Sequence, residues 1–169
     1  MTSRPLQRCA GFTLMELIVS VSILAILAGT LVPVVSDKLT ATRDARRISD
    51  LKTIVDAVEG YMADNGKLPE PDPEKGYGGW DTTLDGSFLT VLLTQGYLRE
   101  PPKDPRNDAS FHYRYFHFPA GTSGFATDFY VVGATGFETA AYQNQHGYWK
   151  GSDRDWSKEF AYVTGGVSR

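Results

Sequence analysis

An α+β fold, with one long N-terminal helix packed on a small antiparallel sheet, follows from three observations. An apolar run over residues 11–35 carries no charge after Glu16. Beyond it a helical period appears: Ile48, Leu51, Ile54, Val55, Val58, Tyr61 and Met62 recur at spacings of three and four, one face of an amphipathic helix. Later, residues 111–118 and 125–132 are rich in aromatic and β-branched side chains and flank the turn-forming stretch 119–124, the pattern of an antiparallel hairpin. A chain of 169 residues suits one modest domain plus an anchor.

The apolar run comes first. At about 1.5 Å per residue, a helix over 17–35 is roughly long enough to cross the hydrocarbon core of a bilayer, so a single span is expected. Arg4 and Arg8 precede it; the positive-inside bias keeps that end cytoplasmic and places the C-terminal bulk across the membrane. Glu16 sits at the edge of the run without a local cation. A carboxylate drawn toward the bilayer centre costs about 2.5–3.5 kcal/mol, so Glu16 reads either as waiting for a partner outside its own helix or as resting at the headgroup level. Pro33, with Gly29 and Thr30 just before it, removes a backbone hydrogen bond and marks where the helix should bend or loosen.

Two ordinary readings of this segment explain less. A secretory signal cut after Ala28 leaves Glu16 without purpose and a new N-terminus that is still apolar up to Val35. An uncleaved signal anchor explains the length of the run but neither the glycine junction nor the acid. The basic leader MTSRPLQRCAG, the Gly11-Phe12 junction, FTLMEL with Glu16, and Pro33 together resemble the type IV prepilin signal, shared by type IV pilins and the pseudopilins of type II secretion. The resemblance implies a pilin-like fold and a membrane peptidase that cuts after Gly11 and methylates Phe12. It implies an assembly role for Glu16, set against the Phe12 amine of a neighbouring subunit, and loss of helical pairing over 29–33 when subunits pack. The organisation it implies is a leader at 1–11, a transmembrane and filament-core helix at 12–35, and a globular periplasmic domain at 36–169.

No breaker stands between Asp37 and Glu59, so the helix should run on and end near Asn65-Gly66, a good C-terminal stop. Lys38, Arg43, Asp44, Arg46, Arg47, Asp50, Lys52 and Asp56 read as its opposite, solvated face. Residues 66–86 read as a loop rich in proline and glycine. Its acids, Glu70, Asp72, Glu74, Asp81 and Asp85, do not fit a D-x-[DN]-x-[DN]-G calcium loop and read as solvated. A short helix is expected over 87–95, capped by Gly86 or Ser87 and stopped at Gly96. After it, Tyr97, Leu98, Pro102, Lys103, Asp104 and Pro105 resemble the YL…PKDP segment of major pseudopilins, which favours the secretion branch. A third strand is expected at 159–163.

Little in the sequence suggests chemistry. Without Arg4 and Arg8 the chain has 15 basic against 20 acidic residues, which argues against a nucleic-acid surface. The single cysteine, Cys9, lies in the leader, so the exported domain has no disulfide and no thiol site. His112 and His117 differ by five positions and point to opposite faces of a regular strand; with His146 they read as exposed or satisfied rather than as ligands. No G-x-S-x-G, Walker or HExxH motif is present, and no active site is read. The tyrosines and phenylalanines, 9 of each, read as core.

Resemblance to major pseudopilins also implies a calcium ion in the loop before the last strand, held by aspartates and backbone oxygens. Here 133–149 contains Glu138 and Asn144 and no aspartate, so no cofactor is expected there, and Asp153 and Asp155 are the fallback calcium ligands. The function implied is structural: a filament subunit of the type II secretion pseudopilus, built from the inner membrane into a periplasmic or surface filament to drive protein export. Its partners would be further copies of itself, the prepilin peptidase, the inner-membrane assembly platform, the minor pseudopilins and the membrane. A type IV pilus subunit serving motility, adhesion or DNA uptake, and a membrane-anchored periplasmic binding domain, are the alternatives.

Overall fold

In the computed structural model, which describes residues 11–72, 77–143, 147 and 149–168, the expected long helix α1 runs from Leu14–Asn65. Arg4, Arg8, Cys9, Glu74, Asn144 and His146 lie outside the described residues. Helix α1 ends as its sequence requires: Gly66 adopts a left-handed φ of 67° and its amide donates to the Met62 carbonyl at 2.9 Å. The chain divides into two units, Met1–Lys38 and Leu39–Arg169, and α1 contributes to both.

In the second unit four antiparallel strands follow α1 in the order β1-β2-β3-β4, with β1 at Asp81–Thr82, β2 at Tyr113–Phe118, β3 at Phe129–Ala134 and β4 at Tyr162–Val167. The period of two along β2 and β3 sorts the side chains. Tyr113, Tyr115, Tyr130, Val132 and Ala134 meet Leu51, Ile54, Val58 and Tyr61 of α1 in one core, with Leu68, Phe88, Leu89, Leu92 and Leu98 closing it. The alternate residues Phe118, Phe129, Val131 and Val163 turn to the other face, where Trp80, Trp156 and Phe160 cover them. The described tyrosines and phenylalanines between 111 and 160 are therefore buried or half-buried, as read. Arg154, paired through two 2.7 Å hydrogen bonds with Glu159, lies over the rings of Trp80, Phe118 and Trp156 at 5.5–5.9 Å and seals that second layer.

The elements differ from expectation where a side chain or a close approach overrides the local pattern. Strand β3 starts at Phe129 rather than at 125, because Phe125 leaves the ladder to stack on Trp149 at 5.6 Å. Strand β4 lies three residues later than expected and includes Gly165 and Gly166. A Cβ at Gly165 would fall 2.4 Å from the Tyr130 carbonyl oxygen and 2.7 Å from the Trp149 ring, so these glycines continue the strand where a larger residue would not fit. The short helix α2 covers only Thr90–Thr94, because Leu89 takes a left-handed φ of 49° and breaks the preceding turn; neither Gly86 nor Ser87 caps it, and its first amide, of Thr90, donates instead to Asp72 Oδ2 at 3.0 Å. A last one-turn helix, α3, occupies Ala140–Gln143.

The stretch 66–86 is not wholly loop and its acids are not all solvated. Asp81 opens β1, pairs with Tyr115 of β2 and is fully buried. Its Oδ2 accepts the Leu89 amide at 2.9 Å and the Asp72 amide at 3.0 Å, fastening the loop to the start of α2. Burial pushes its carboxyl up to about 7, aided by Asp72 and Asp85 and opposed by the two amides.

Because the folded Asp81 carboxyl lies above its ordinary 3.8, its contribution to stability is fully present below about pH 4 and is lost as pH rises through 7. Asp81→Asn keeps an acceptor for both amides and removes the titration. Relative to wild type, its unfolding free energy should improve steadily from pH 4 to pH 8, by at most roughly 4 kcal/mol at about 1.4 kcal/mol per pKa unit. A difference that stays constant across that range would show that Asp81 titrates normally.

Candidate functional site

Two groups of residues stand out, a bare helix start and a buried ion cluster. The first opens α1. Gly11, Phe12 and Thr13 precede the helix; Gly11 has no neighbouring atom within 4 Å of a built Cβ, and Phe12 is 74% exposed. Thr13 and Glu16 form a reciprocal cap. The Glu16 amide donates to Thr13 Oγ1 at 3.2 Å, and Glu16 Oε2 accepts from the Thr13 amide at 3.0 Å and from its hydroxyl at 2.8 Å. Glu16 thus has a local hydrogen-bond partner, although among the described residues no cation pairs with it. The T-x-x-E spacing announces this cap in the sequence, and the reading of Glu16, which looked only for a local cation, missed it.

Downstream of the cap, polar side chains fold back on the helix. Ser20 Oγ donates to the Glu16 carbonyl at 2.6 Å, Ser22 Oγ to that of Ile18 at 2.7 Å, and Thr30 Oγ1 to that of Leu27 at 3.0 Å. The surface left is apolar: leucines, isoleucines and valines from Leu14 to Val35 stand 47–75% exposed. By length and composition this stretch can cross a membrane. The helical backbone continues through position 33, where the bend was expected.

The second group is a buried ion cluster, where the reading of a solvated face on α1 fails. Lys38, Arg46, Lys52 and Asp56 are exposed, but Asp44 and Arg47 are fully buried. Arg47 grips Asp104 of the PKDP turn from two sides, Nε to Oδ2 at 2.7 Å and Nη2 to Oδ1 at 3.0 Å. Its Nη1 donates to Asp44 at 2.6 Å and to Glu138 at 3.0 Å. Arg43 holds Glu138 by two more bonds, at 2.8 and 2.5 Å. Asp44 in turn receives the backbone amides of Glu138 and Thr139 at 3.0 and 2.9 Å. Burial alone would lower the Arg47 guanidinium, yet its bonds to Asp104, Glu138 and Asp44 outweigh this and hold it above its ordinary value. The Arg43 hydrogen bonds, with help from Arg47, pull Glu138 down to about 2.

A signal for this cluster was present. Residues 44, 47, 51, 54, 58 and 61 follow one another at spacings of three and four, so Asp44 and Arg47 lie on the same stripe as Leu51, Ile54, Val58 and Tyr61. Sorting by charge instead of by period put them on the wrong side.

The remaining candidates stay apart. His112 is buried, with Nδ1 3.1 Å from the Asp108 carbonyl and Nε2 receiving Arg114 Nε at 2.9 Å; His117 lies beside Glu70 and Asp128. Asp155 accepts the amide and hydroxyl of Ser157 at the head of the short 3-10 turn Trp156–Lys158, while Asp153 is exposed. Among the described residues, no group of three or more histidine, cysteine or acidic side chains converges in a way that could hold a metal.

Comparison with known proteins agrees with this geometry. The prokaryotic N-terminal methylation motif matches residues 6–32. The type II secretion system core protein G of Pseudomonas aeruginosa is 32% identical over 130 residues, covering 76% of this chain and 86% of that protein. The core protein G of Vibrio cholerae is 29% identical over 80% of this chain and 87% of its own length, and that of Klebsiella pneumoniae 38% identical over 59% and 71%. No solved structure matches the chain significantly.

The two arginines one turn-position apart on α1 should respond very differently to removal. Arg47→Met strands Asp44 and Asp104 without their shared cation, and the expected loss is about 3–5 kcal/mol. Arg46→Met breaks only a 3.6 Å pair with Asp50 from a side chain that is 65% exposed, and the expected loss is below about 1 kcal/mol. Urea unfolding of the detergent-solubilised chain, followed by near-ultraviolet circular dichroism, compares them; equal losses would mean that the cluster contributes no more than a surface pair.

Proposed function

The chain belongs to the family of type II secretion system core protein G, the major pseudopilins, and from that premise we propose that it builds the pseudopilus, a type IV pilus-like filament whose growth from the inner membrane drives protein export. The observation that carries the reading is the pairing of a methylation-motif N-terminus with a helix whose first half lies bare and apolar while its second half closes a complete core. An enzyme needs convergent polar groups, and the buried acids Asp44 and Asp104, with Glu138, are instead taken up by Arg43 and Arg47; the role we assign is structural and non-enzymatic.

In this proposal the leader stays cytoplasmic, the helix spans the inner membrane once, and the domain from residue 36 onward is periplasmic. A prepilin peptidase removes residues 1–11 and methylates Phe12. The subunit then passes through the assembly platform into a helical array of its own copies, with minor pseudopilins as further partners, and the apolar half-helices bundle in the filament core. There neighbouring helices would replace the lipid that covers this surface before extraction, an exchange between two apolar surroundings in which packing rather than removal from water decides. Gly29, Thr30 and Pro33 form the segment where we assign helical loosening during packing, because proline lacks the amide that would hold the turn together.

Glu16 receives its assembly role on the same terms. Once Gly11 is cut away, the Phe12 amine is cationic and exposed at the helix start, and a neighbour displaced by one position would bring it to Glu16. A carboxylate among apolar side chains is costly alone and much less so when paired. The Thr13 cap holds Glu16 meanwhile without neutralising it.

Two measurements test the reading. Mass spectrometry of membrane-extracted protein from cells that contain the peptidase should find a methylated Phe12 at the N-terminus; an intact Met1, or a start at Gly29, would overturn it. Glu16→Ala should be cleaved and folded normally while filament yield, counted by electron microscopy, falls at least about tenfold, the effect of roughly 1.4 kcal/mol at each addition step. Glu16→Asp should do less harm, and filaments at normal yield from the alanine variant would remove Glu16 from assembly.

A further inference from the structure

Family resemblance points to a calcium ion in the segment before the last strand, here 133–149, and the donor chemistry of this chain does not fit one. Glu138 is the sole carboxylate of that stretch. Its Oε1 already accepts from Arg43 Nε and Arg47 Nη1, and its Oε2 from Arg43 Nη2. Asp44 and Asp104, which Arg47 gathers against the same place, have no oxygen to spare. Asp44 Oδ1 takes Arg47 and the Glu138 amide, and its Oδ2 takes the Thr139 amide and hydroxyl. Asp104 Oδ2 takes Arg47 Nε, and its Oδ1 takes Arg47 Nη2 together with the amides of Arg106 and Asn107. Calcium needs about six to eight oxygen ligands at roughly 2.3–2.6 Å, and here it would have to enter beside two guanidiniums.

We propose that this chain fastens the segment after β3 with a cation of its own, the Arg47 guanidinium assisted by Arg43, and that the hold on this segment is therefore independent of calcium. The segment leaves β3 at Ala134, buries Phe137 against Tyr162, and then presents two successive amides, of Glu138 and Thr139, to Asp44. Asp44 is held ready for them by Arg47. Arginine suits the task because its rigid fork reaches three carboxylates at once and keeps its charge at every accessible pH, whereas a lysine would offer a single point charge. A divalent ion is in exchange with solvent and leaves in a chelator; a covalently attached guanidinium does neither.

The test reads the single full-length subunit in detergent, so its outcome does not depend on whether filaments form and is separable from the filament assignment. Thermal unfolding and amide hydrogen exchange are compared in millimolar calcium chloride and in excess chelator. The expected result is an unchanged midpoint and unchanged protection of the Glu138 and Thr139 amides. Asp44→Asn should lower that protection about tenfold or more in both solutions, as loss of charge-assisted acceptors implies. Should Asp44→Asn fail to fold, Glu138→Gln, which keeps the backbone amides and their acceptor, should accelerate exchange equally in both solutions. Saturable calcium binding tighter than about 1 mM by calorimetry, a midpoint raised several degrees by calcium, protection that disappears in chelator, or variants that exchange like wild type would each overturn the proposal.

Discussion

A guanidinium with no contact to solvent holds together three stretches of chain that are far apart in sequence. Arg47 belongs to α1, Asp104 to the turn after α2, and Glu138 to the segment after β3. An unpaired buried charge is expensive, so the arrangement is close to all-or-none: the helix, the turn and the segment must each arrive for the desolvation of the other charges to be offset. The cluster also fixes the helix. Arg47 lies one turn before Leu51 on the stripe that meets the sheet, so rotating α1 to satisfy one group without the other would cost both the ion pairs and the apolar contact.

That constraint compensates for what the domain lacks. With no cysteine after Cys9, no disulfide closes its loops, and a short sheet with a two-residue first strand offers few ladder bonds there. The load passes to side chains. On one face Tyr113 and Tyr115 carry their rings into the core while their hydroxyls donate to Asp50 and to the Pro69 carbonyl, at 2.9 and 2.8 Å. On the other face Gly133 lets the Phe160 ring lie directly on the strand, since a Cβ there would sit 2.7 Å from it. Charged and aromatic contacts thus substitute for covalent staples.

Most of the architecture was legible because it rests on period and punctuation. The end of α1 at Asn65, the hairpin of β2 and β3 and the apolar stripe all follow from spacing and from turn residues, and the junction at Gly11-Phe12 is visible as a motif. What escaped were residues whose type misrepresents their place. Asp81 reads as a loop acid yet opens a strand, because its burial depends on two amides that only the fold brings to it. The strand expected at 159–163 stops short of Gly165 and Gly166, yet both continue β4, because the partner strand and Trp149 leave no room for a side chain. Asp44 and Arg47 read as solvent face, because the carboxylates that neutralise Arg47 lie 57 and 91 positions away. The Thr13 cap, and the place of Asp44 and Arg47 on the apolar stripe, were the misses that a local rule could have found.

The two ends of α1 answer to separate demands, and burial marks the boundary. Among the described residues none before Asp44 is buried, while from Asp44 onward the stripe at 44, 47, 51, 54, 58 and 61 is buried without a gap. The domain core therefore closes without help from the apolar half, whose leucines and isoleucines contribute nothing to folding and stay exposed at a cost that only lipid or other apolar helices can offset. A helix built this way lets the environment of its first half change from bilayer to protein while the second half and its ion cluster are untouched. The boundary is drawn twice: exposed Ser36, Asp37 and Lys38 end the apolar surface, and the ion cluster then opens the buried stripe at Asp44 and Arg47.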